Sequence, residues 1–282
     1  MQINLNKLND QFEKLSFSEY MNLRGRFMSL STLRFTGSSL SNIQDGLSVV
    51  SDNISNVSTH GFKERLLNFE NIRSNAVGGS SESGSYLVST GTNFTPGGLE
   101  FTENNANMAL SGSGFFVLQN AAGDLYYSRT GNFSIDSQSN LVDANGNYVM
   151  SSGGGRITFP ENMSDFSVSL AGEIQVSYDN QDPVFLDQIQ LASFNNPEGL
   201  VNVGSNLFIE TGSSGLANFS SALQSGTATS STRISGGALE RSNVNLSNEL
   251  VDLMALQRAY QAVSKATTTN DDMLSTTIGL VR

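Results

Sequence analysis

Two stretches of the chain repeat apolar residues with a mean spacing of 3.5, and between them the period drops to two. From Leu33, one heptad register puts Leu33, Leu40, Leu47 and Ile54 at position a and Thr36, Ile43, Val50 and Val57 at position d. A second register puts Leu246, Leu253, Tyr260, Thr267, Leu274 and Val281 at a, with Glu249, Leu256, Val263, Asn270 and Thr277 at d. Such a repeat predicts a helix that packs along another helix, so the two ends are expected to pair as a coiled coil. Asn245 or Ser247 is placed to cap the second helix. The remaining faces of the first stretch are nearly all Ser, Asn, Asp, Gln and Gly, which are poor helix formers. Burying one apolar stripe does not offset the entropy lost in ordering that backbone. Each end is therefore expected to be unfolded alone and helical when partnered, with Thr267, Asn270 and Thr277 meeting neighbouring molecules.

Ser58 to Lys63 ends the first helix with Gly61, which can take a left-handed cap, and Gly78 to Ser85 reads as a flexible linker. From Tyr86 to about Glu240, alternating apolar and polar positions with recurrent turn residues predict a compact antiparallel β domain. Gly114–Leu118 and Leu125–Arg129 read as a hairpin, Asn145-Gly146 as a turn. Further strands are expected at Arg156–Phe159, Phe166–Leu170, Ile174–Tyr178, Val184–Phe194 and Asn206–Glu210. The expected fold is α+β: an N-terminal arm at 1–27, a helix at 28–63, a linker at 64–85, the β-rich domain at 86–240 and a second helix at 241–282.

Charge refines this picture. The net charge is -11, and all of the excess falls in residues 84–240, leaving both ends neutral. An acidic middle disfavours nucleic acid as a partner, and neutral ends permit many copies to pack together. No run approaches the ~20 apolar residues that cross a bilayer, so direct membrane insertion is not expected. The opening residues, with Leu5, Leu8, Phe12 and Leu15 at helical spacing, lack the basic-then-apolar order of a cleaved secretory signal.

Candidate chemistry is sparse. The chain has 0 Cys and 1 His, so thiolate metal sites are excluded, and any triad would have to be built on His60. That residue sits beside Gly61 at a helix end, where a histidine usually serves a terminal carbonyl. Asp143, Asn145 and Asn147 begin like a calcium loop, but its closing position is Gly154 rather than a bidentate Glu. The Gly112–Gly114 and Gly153–Gly155 runs lack the Lys of a phosphate cradle. Glu161, Asp165 and Glu173 read as scattered surface acids. No catalytic, metal or cofactor site is expected.

Four groups of residues carry a resemblance. Val50-Ser-Asp-Asn-Ile-Ser-Asn-Val-Ser-Thr-His-Gly-Phe-Lys63 contains Asn53, Asn56, Gly61, Phe62 and Lys63. Gly112-Ser-Gly-Phe-Phe116 and Tyr127-Ser-Arg-Thr-Gly-Asn-Phe133 contain Gly114, Phe115, Phe116, Arg129, Gly131 and Phe133. Phe194-Asn-Asn-Pro-Glu-Gly-Leu200 follows, and the last group contains Ser242, Asn243, Val244, Gln257 and Arg258. In that order they resemble the axial proteins of the bacterial flagellar rod and hook. The resemblance implies a structural subunit without cofactor: a helical homopolymer whose paired end helices form an inner tube and which transmits motor torque across the periplasm. It implies export by the flagellar type III apparatus, and other rod and hook proteins and the surrounding rings as neighbours. Gln190–Pro197 and Ile157–Pro160 look most like a distal rod subunit. Tyr127-Ser-Arg129 and the Leu280-Val-Arg282 ending look hook-like, and a proximal rod subunit stays open. A β-domain adhesin is the alternative from another class. Met28 stands near the family's usual beginning, which makes residues 1–27 an added arm or the product of an upstream start.

Overall fold

A computed structural model describes residues 17–74, 82–179, 182–221 and 232–279. The chain forms two compact units. One comprises residues 1–51, 67–90 and 250–282, the other residues 52–66 and 91–249. Two helices, α1 (Phe17–Ser55) and α2 (Leu246–Gly279), flank a central region of antiparallel strands, which makes the fold α+β.

In the first unit, half-burial along α2 follows the 3.5-residue period. On α2, Leu253, Leu256, Tyr260, Val263, Thr267 and Asn270 are half-buried at successive a and d positions, and most of the positions between them are exposed. The stripe thus continues through its polar members. The Thr267 hydroxyl donates within the helix to the Val263 carbonyl at 2.9 Å. On α1, Leu40, Ile43, Leu47 and Ile54 are half-buried and Val50 is buried. The most enclosed edge is shifted one position, to Gly46, Val49, Val50 and Asn53. Gly46 explains the shift: a β-carbon there would meet the Leu256 methyls at 3.4 Å and Leu67 at 3.5 Å. The expected weak point of the helix is therefore where α1, α2 and strand β1 (Arg65–Ser74) approach most closely. Val57 lies in the turn beyond the helix, and Leu246 is exposed, because α2 begins there and its first buried residue is Glu249. The side chains of Leu33, Leu274 and Thr277, and all of Val281, lie outside the described residues.

Two boundaries differ from expectation. Helix α1 begins at Phe17 and runs through Met28 without a break. The segment 64–85 carries β1 and the start of β2 (Glu82–Thr92), paired in a two-stranded sheet. The apolar residues Leu66, Leu67 and Phe69 supply the strand content that the flanking Gly and Ser residues obscured.

The second unit is antiparallel throughout its described strands. After β3 (Leu99–Phe101) and β4 (Met108–Ser111) come β5 (Phe115–Gln119), β6 (Leu125–Ser128), β7 (Phe133–Ile135), β8 (Leu141–Asp143) and β9 (Tyr148–Val149). A three-stranded sheet follows, β10 (Asp165–Val168), β11 (Glu173–Ser177) and β12 (Val184–Gln188). The chain returns with β13 (Gln190–Ser193), β14 (Val201–Gly204), β15 (Leu207–Ile209) and β16 (Asn218–Ser221), then closes with β17 (Arg233–Gly236) and β18 (Ala238–Glu240). The single strand expected at Val184–Phe194 is thus two, split at Ile189, which change sheets. Arg156–Phe159 makes only isolated bridges, Met150 with Arg156 and Asn140 with Thr158.

Strand β5 is the centre of the larger sheet, pairing β6 on one edge and β9 and β13 on the other. Its period of two feeds two cores. Phe116 and Leu118 join Phe133, Leu141, Ile157, Ile174, Ile189 and Ile234. Phe115 and Val117 join Tyr127, Phe194, Leu200 and Phe208, where Tyr127 and Phe194 stack edge to face with centroids 4.8 Å apart. Burial and the nearby Glu210 carboxylate push the Tyr127 hydroxyl up to about 12, since both oppose a phenolate.

Two expectations follow. Gly46→Ala should be nearly neutral, because helix propensity offsets a snug contact, whereas Gly46→Leu should cost the roughly 1–3 kcal/mol of an overpacked site, read as a lowered melting transition of the helical signal. Tyr127 loses its proton at about 10 when unfolded and only near 12 when folded. Its contribution is therefore intact below pH 10 and falls as pH rises towards 12. Denaturant titrations at pH 9 and 11 should show this loss in the natural chain and not in Tyr127→Phe.

Candidate functional site

Residues from three distant segments meet in a buried ionic cluster in the second unit. Lys63, Arg129 and Glu240 are 3%, 1% and 2% exposed. Gly61 positions the first. It holds φ at +70°, and a β-carbon would come within 2.7 Å of the Thr130 backbone, so only glycine lets the chain turn here. Its amide donates to the Glu240 carbonyl at 2.7 Å. Two residues on, the Lys63 ammonium donates to Glu240 Oε1 at 2.6 Å and to the Thr95 carbonyl at 2.9 Å. Glu240 Oε1 also accepts from the Gly97 amide at 2.9 Å. Arg129, just beyond β6, donates to the Gly112 carbonyl at 2.8 Å and lies over the Phe115 ring at 5.1 Å. Its Nη1 is 3.7 Å from Glu240 Oε2.

This arrangement places two cations against one carboxylate away from water. Burial pulls Lys63 below the usual ammonium range even though Glu240 pulls the other way, and burial likewise lowers Arg129. Arg129 Nε and Nη1 and Glu240 Oε2 have no hydrogen-bond partner. The cluster therefore fixes which segments come together more than it adds stability.

Asparagines complete the junction by clamping backbone. Asn53, at the end of α1, accepts from the Arg65 amide at 2.9 Å and donates to the Arg65 carbonyl at 3.0 Å and to Glu249 at 3.3 Å. Asn243 accepts from the Glu64 amide at 2.7 Å and donates to the Asn93 carbonyl at 2.8 Å. Asn56 closes the helix end, donating to the Asp52 carbonyl at 2.8 Å. Asn245 caps α2, accepting from the Ser247 amide at 3.0 Å, and Ser242 accepts from the Val244 amide at 3.3 Å. Phe62 and Val244 are buried. Gly114 abuts Thr232, and the Gly131 carbonyl accepts from the Met108 amide at 2.9 Å. Phe115, Phe116 and Phe133 belong to the two cores. Gln257 and Arg258 are exposed on α2.

His60 lies 3.7 Å from Glu100, on the wall of a polar cleft of about 700 Å³ that Asp52, Asn56, Thr130, Asn132 and Asn206 also line. The Asp143 carboxylate accepts from the amides of Asn145 and Asn147, both at 2.8 Å, and so builds the hairpin turn. Asp165 accepts from Asn105 at 2.8 Å. Glu240, the anion of the cluster, is the residue that spacing did not single out. The available signal was chemical: Lys63 follows Phe62, Glu240 follows Leu239, and Arg129 stands two residues after Tyr127.

Three distant segments of the second unit, each contributing one buried ion, are joined at this cluster. The three ions also fall in three separate family matches. Residues 33–63 match the flagella basal body rod protein family, residues 109–176 the flagellar hook protein FlgE/F/G D1 domain, and residues 235–280 the flagellar basal body rod FlgEFG protein C-terminal family. Flagellar basal-body rod protein FlgG of Caulobacter vibrioides is 32% identical over 88% of this chain and 98% of its own length. FlgG of Buchnera aphidicola from Acyrthosiphon pisum is 35% identical over 82% and 92%. The flagellar hook protein FlgE of Escherichia coli is 38% identical, over 43% of this chain and 29% of the hook protein. The chain belongs to the flagellar basal-body rod and hook protein family.

The ion count makes a prediction. Lys63→Met leaves one cation against one carboxylate, whereas Glu240→Gln leaves two buried cations unmatched. Breaking a buried pair costs about 3–5 kcal/mol. Urea unfolding should place Glu240→Gln at or above that range and Lys63→Met below it, and equal losses would refute the count.

Proposed function

We propose that this chain is a structural subunit of the flagellar rod. It polymerises helically, with α1 and α2 paired as a coiled coil along an inner tube, and transmits motor torque across the periplasm to the hook. Export runs through the flagellar type III apparatus, and the neighbours are copies of itself, other rod and hook proteins, and the surrounding rings. The chemistry is mechanical, with no catalytic step. The observation that carries this reading is the match to a rod protein along 98% of that protein's length. The hook similarity, by contrast, reaches 29% of the hook protein, which favours a rod over a hook subunit. The continuous a/d burial on α2 supports pairing of long helices.

Where to cut the chain follows from the junction. Removal from residue 239 onward takes Glu240 and Asn243 and should unfold the second unit. Removal of residues 246–282 keeps both, and should leave that unit folded while abolishing rod assembly and motility. Motile cells carrying only the shorter chain would refute the rod reading. Basal bodies purified from cells lacking the protein should have an incomplete rod and no hook; an intact rod without a hook would assign it to the hook instead.

A further inference from the structure

Two contacts give the register of α1 against α2. The Asn53 side chain donates to Glu249 at 3.3 Å, and the backbone at Gly46 approaches the Leu256 methyls. One heptad back along α1 is thus one heptad forward along α2, so the helices run antiparallel. Carrying that register on opposes Val49 to Leu253, Asn42 to Tyr260 and Ser39 to Val263. All of these positions are buried or half-buried, whereas Gly37, Ser41, Gln44, Asp45 and Ser48 on α1 are exposed. The register therefore accounts for the enclosed edge of α1 lying one position off its apolar heptad.

The same register has a consequence at the far end of α2. Leu274 falls opposite Met28, and Ser275–Gly279 fall opposite residues 23–27. The family match on α1 begins only at residue 33, and a helix cut at Met28 would leave Ser275–Gly279 without a facing turn. Instead α1 runs unbroken from Phe17, which carries it past the last described turn of α2. The sequence continues the seam through Met28 in two columns. Ser18, Gly25, Thr32, Ser39 and Gly46 stand one heptad apart and are all small. Met21, Met28, Phe35, Asn42 and Val49 form the bulkier column beside them. We propose that residues 17–27 are a working part of α1 whose partner is the C-terminal end of α2 in the same chain. A helix end without a docking surface is loose, and one or two turns do not sustain themselves. The added turns hold residues 275–279 helical. The inference rests on the helix pairing proposed above.

The test uses full-length chains assembled in cells that lack the natural protein. Since the chain has 0 Cys, paired cysteines report the register. Ser39→Cys with Val263→Cys samples the described seam, and Met28→Cys with Leu274→Cys samples its extension. Met28→Cys with Thr267→Cys samples a slip of one heptad. Oxidation should close the first two pairs within one chain, seen as a shifted monomer band, and leave the third open. Closure of the first pair alone, closure of the slipped pair, or covalent dimers from the second overturns the extension and leaves the helix pairing standing. Failure of the first pair overturns the pairing itself. A second arm compares chains lacking residues 1–16 with chains lacking residues 1–27. Only the shorter chain should show faster amide exchange across residues 271–279 in the assembled protein, by at least about tenfold. Failure of that chain alone to assemble is the same loss in a stronger form. Equal exchange in the two shortened chains overturns the proposal.

Discussion

Burying a carboxylate with two cations is costly unless every partner arrives in register, and the second unit of this protein is organised by that demand. Glu240 needs Lys63 for its closest ion pair, the Gly97 amide for a further hydrogen bond and Arg129 for the remaining charge. Lys63 needs the Thr95 carbonyl as well, and Arg129 needs Gly112 and the Phe115 face. Removing water from these groups makes each wrong pairing expensive. The same property that makes the cluster a weak source of stability makes it a strong selector of topology. Around it, Asn53 and Asn243 convert the selection into fixed backbone geometry, because one amide side chain can both donate and accept.

The first unit works by a different principle. Its helices are held by a narrow stripe, and their sequences are rich in residues that do not favour helix. Gly46 concentrates the contact by letting Leu256 and Leu67 approach the α1 backbone.

Much of this was legible in the residues. The heptads of Leu253 to Asn270 give the buried stripe of α2 directly, because helical periodicity is a local property. The hairpin at Gly114–Arg129 and the turn at Asn145-Gly146 were legible for the same reason. Strand β5 hides its double burial in a short apolar run, where alternation between two cores looks like no alternation at all. The pairing of β1 with β2 was hidden by the Gly and Ser residues of the sequence between them. Glu240 was the hardest residue to read. Its meaning depends on Lys63, 177 residues away, and no local pattern encodes a partner at that distance. The strand expected at Val184–Phe194 failed similarly, since the change of sheet at Ile189 is decided by tertiary pairing.

The position of Glu240 along the chain has a consequence for biosynthesis. During translation Lys63 and Arg129 leave the ribosome long before their shared anion, so a growing chain carries two cations whose buried setting cannot yet exist. The N-terminal segments and most of β5 to β16 are available early, but the last strand and the ion that unites them come near the end. Closure of this junction therefore waits until the chain is almost complete.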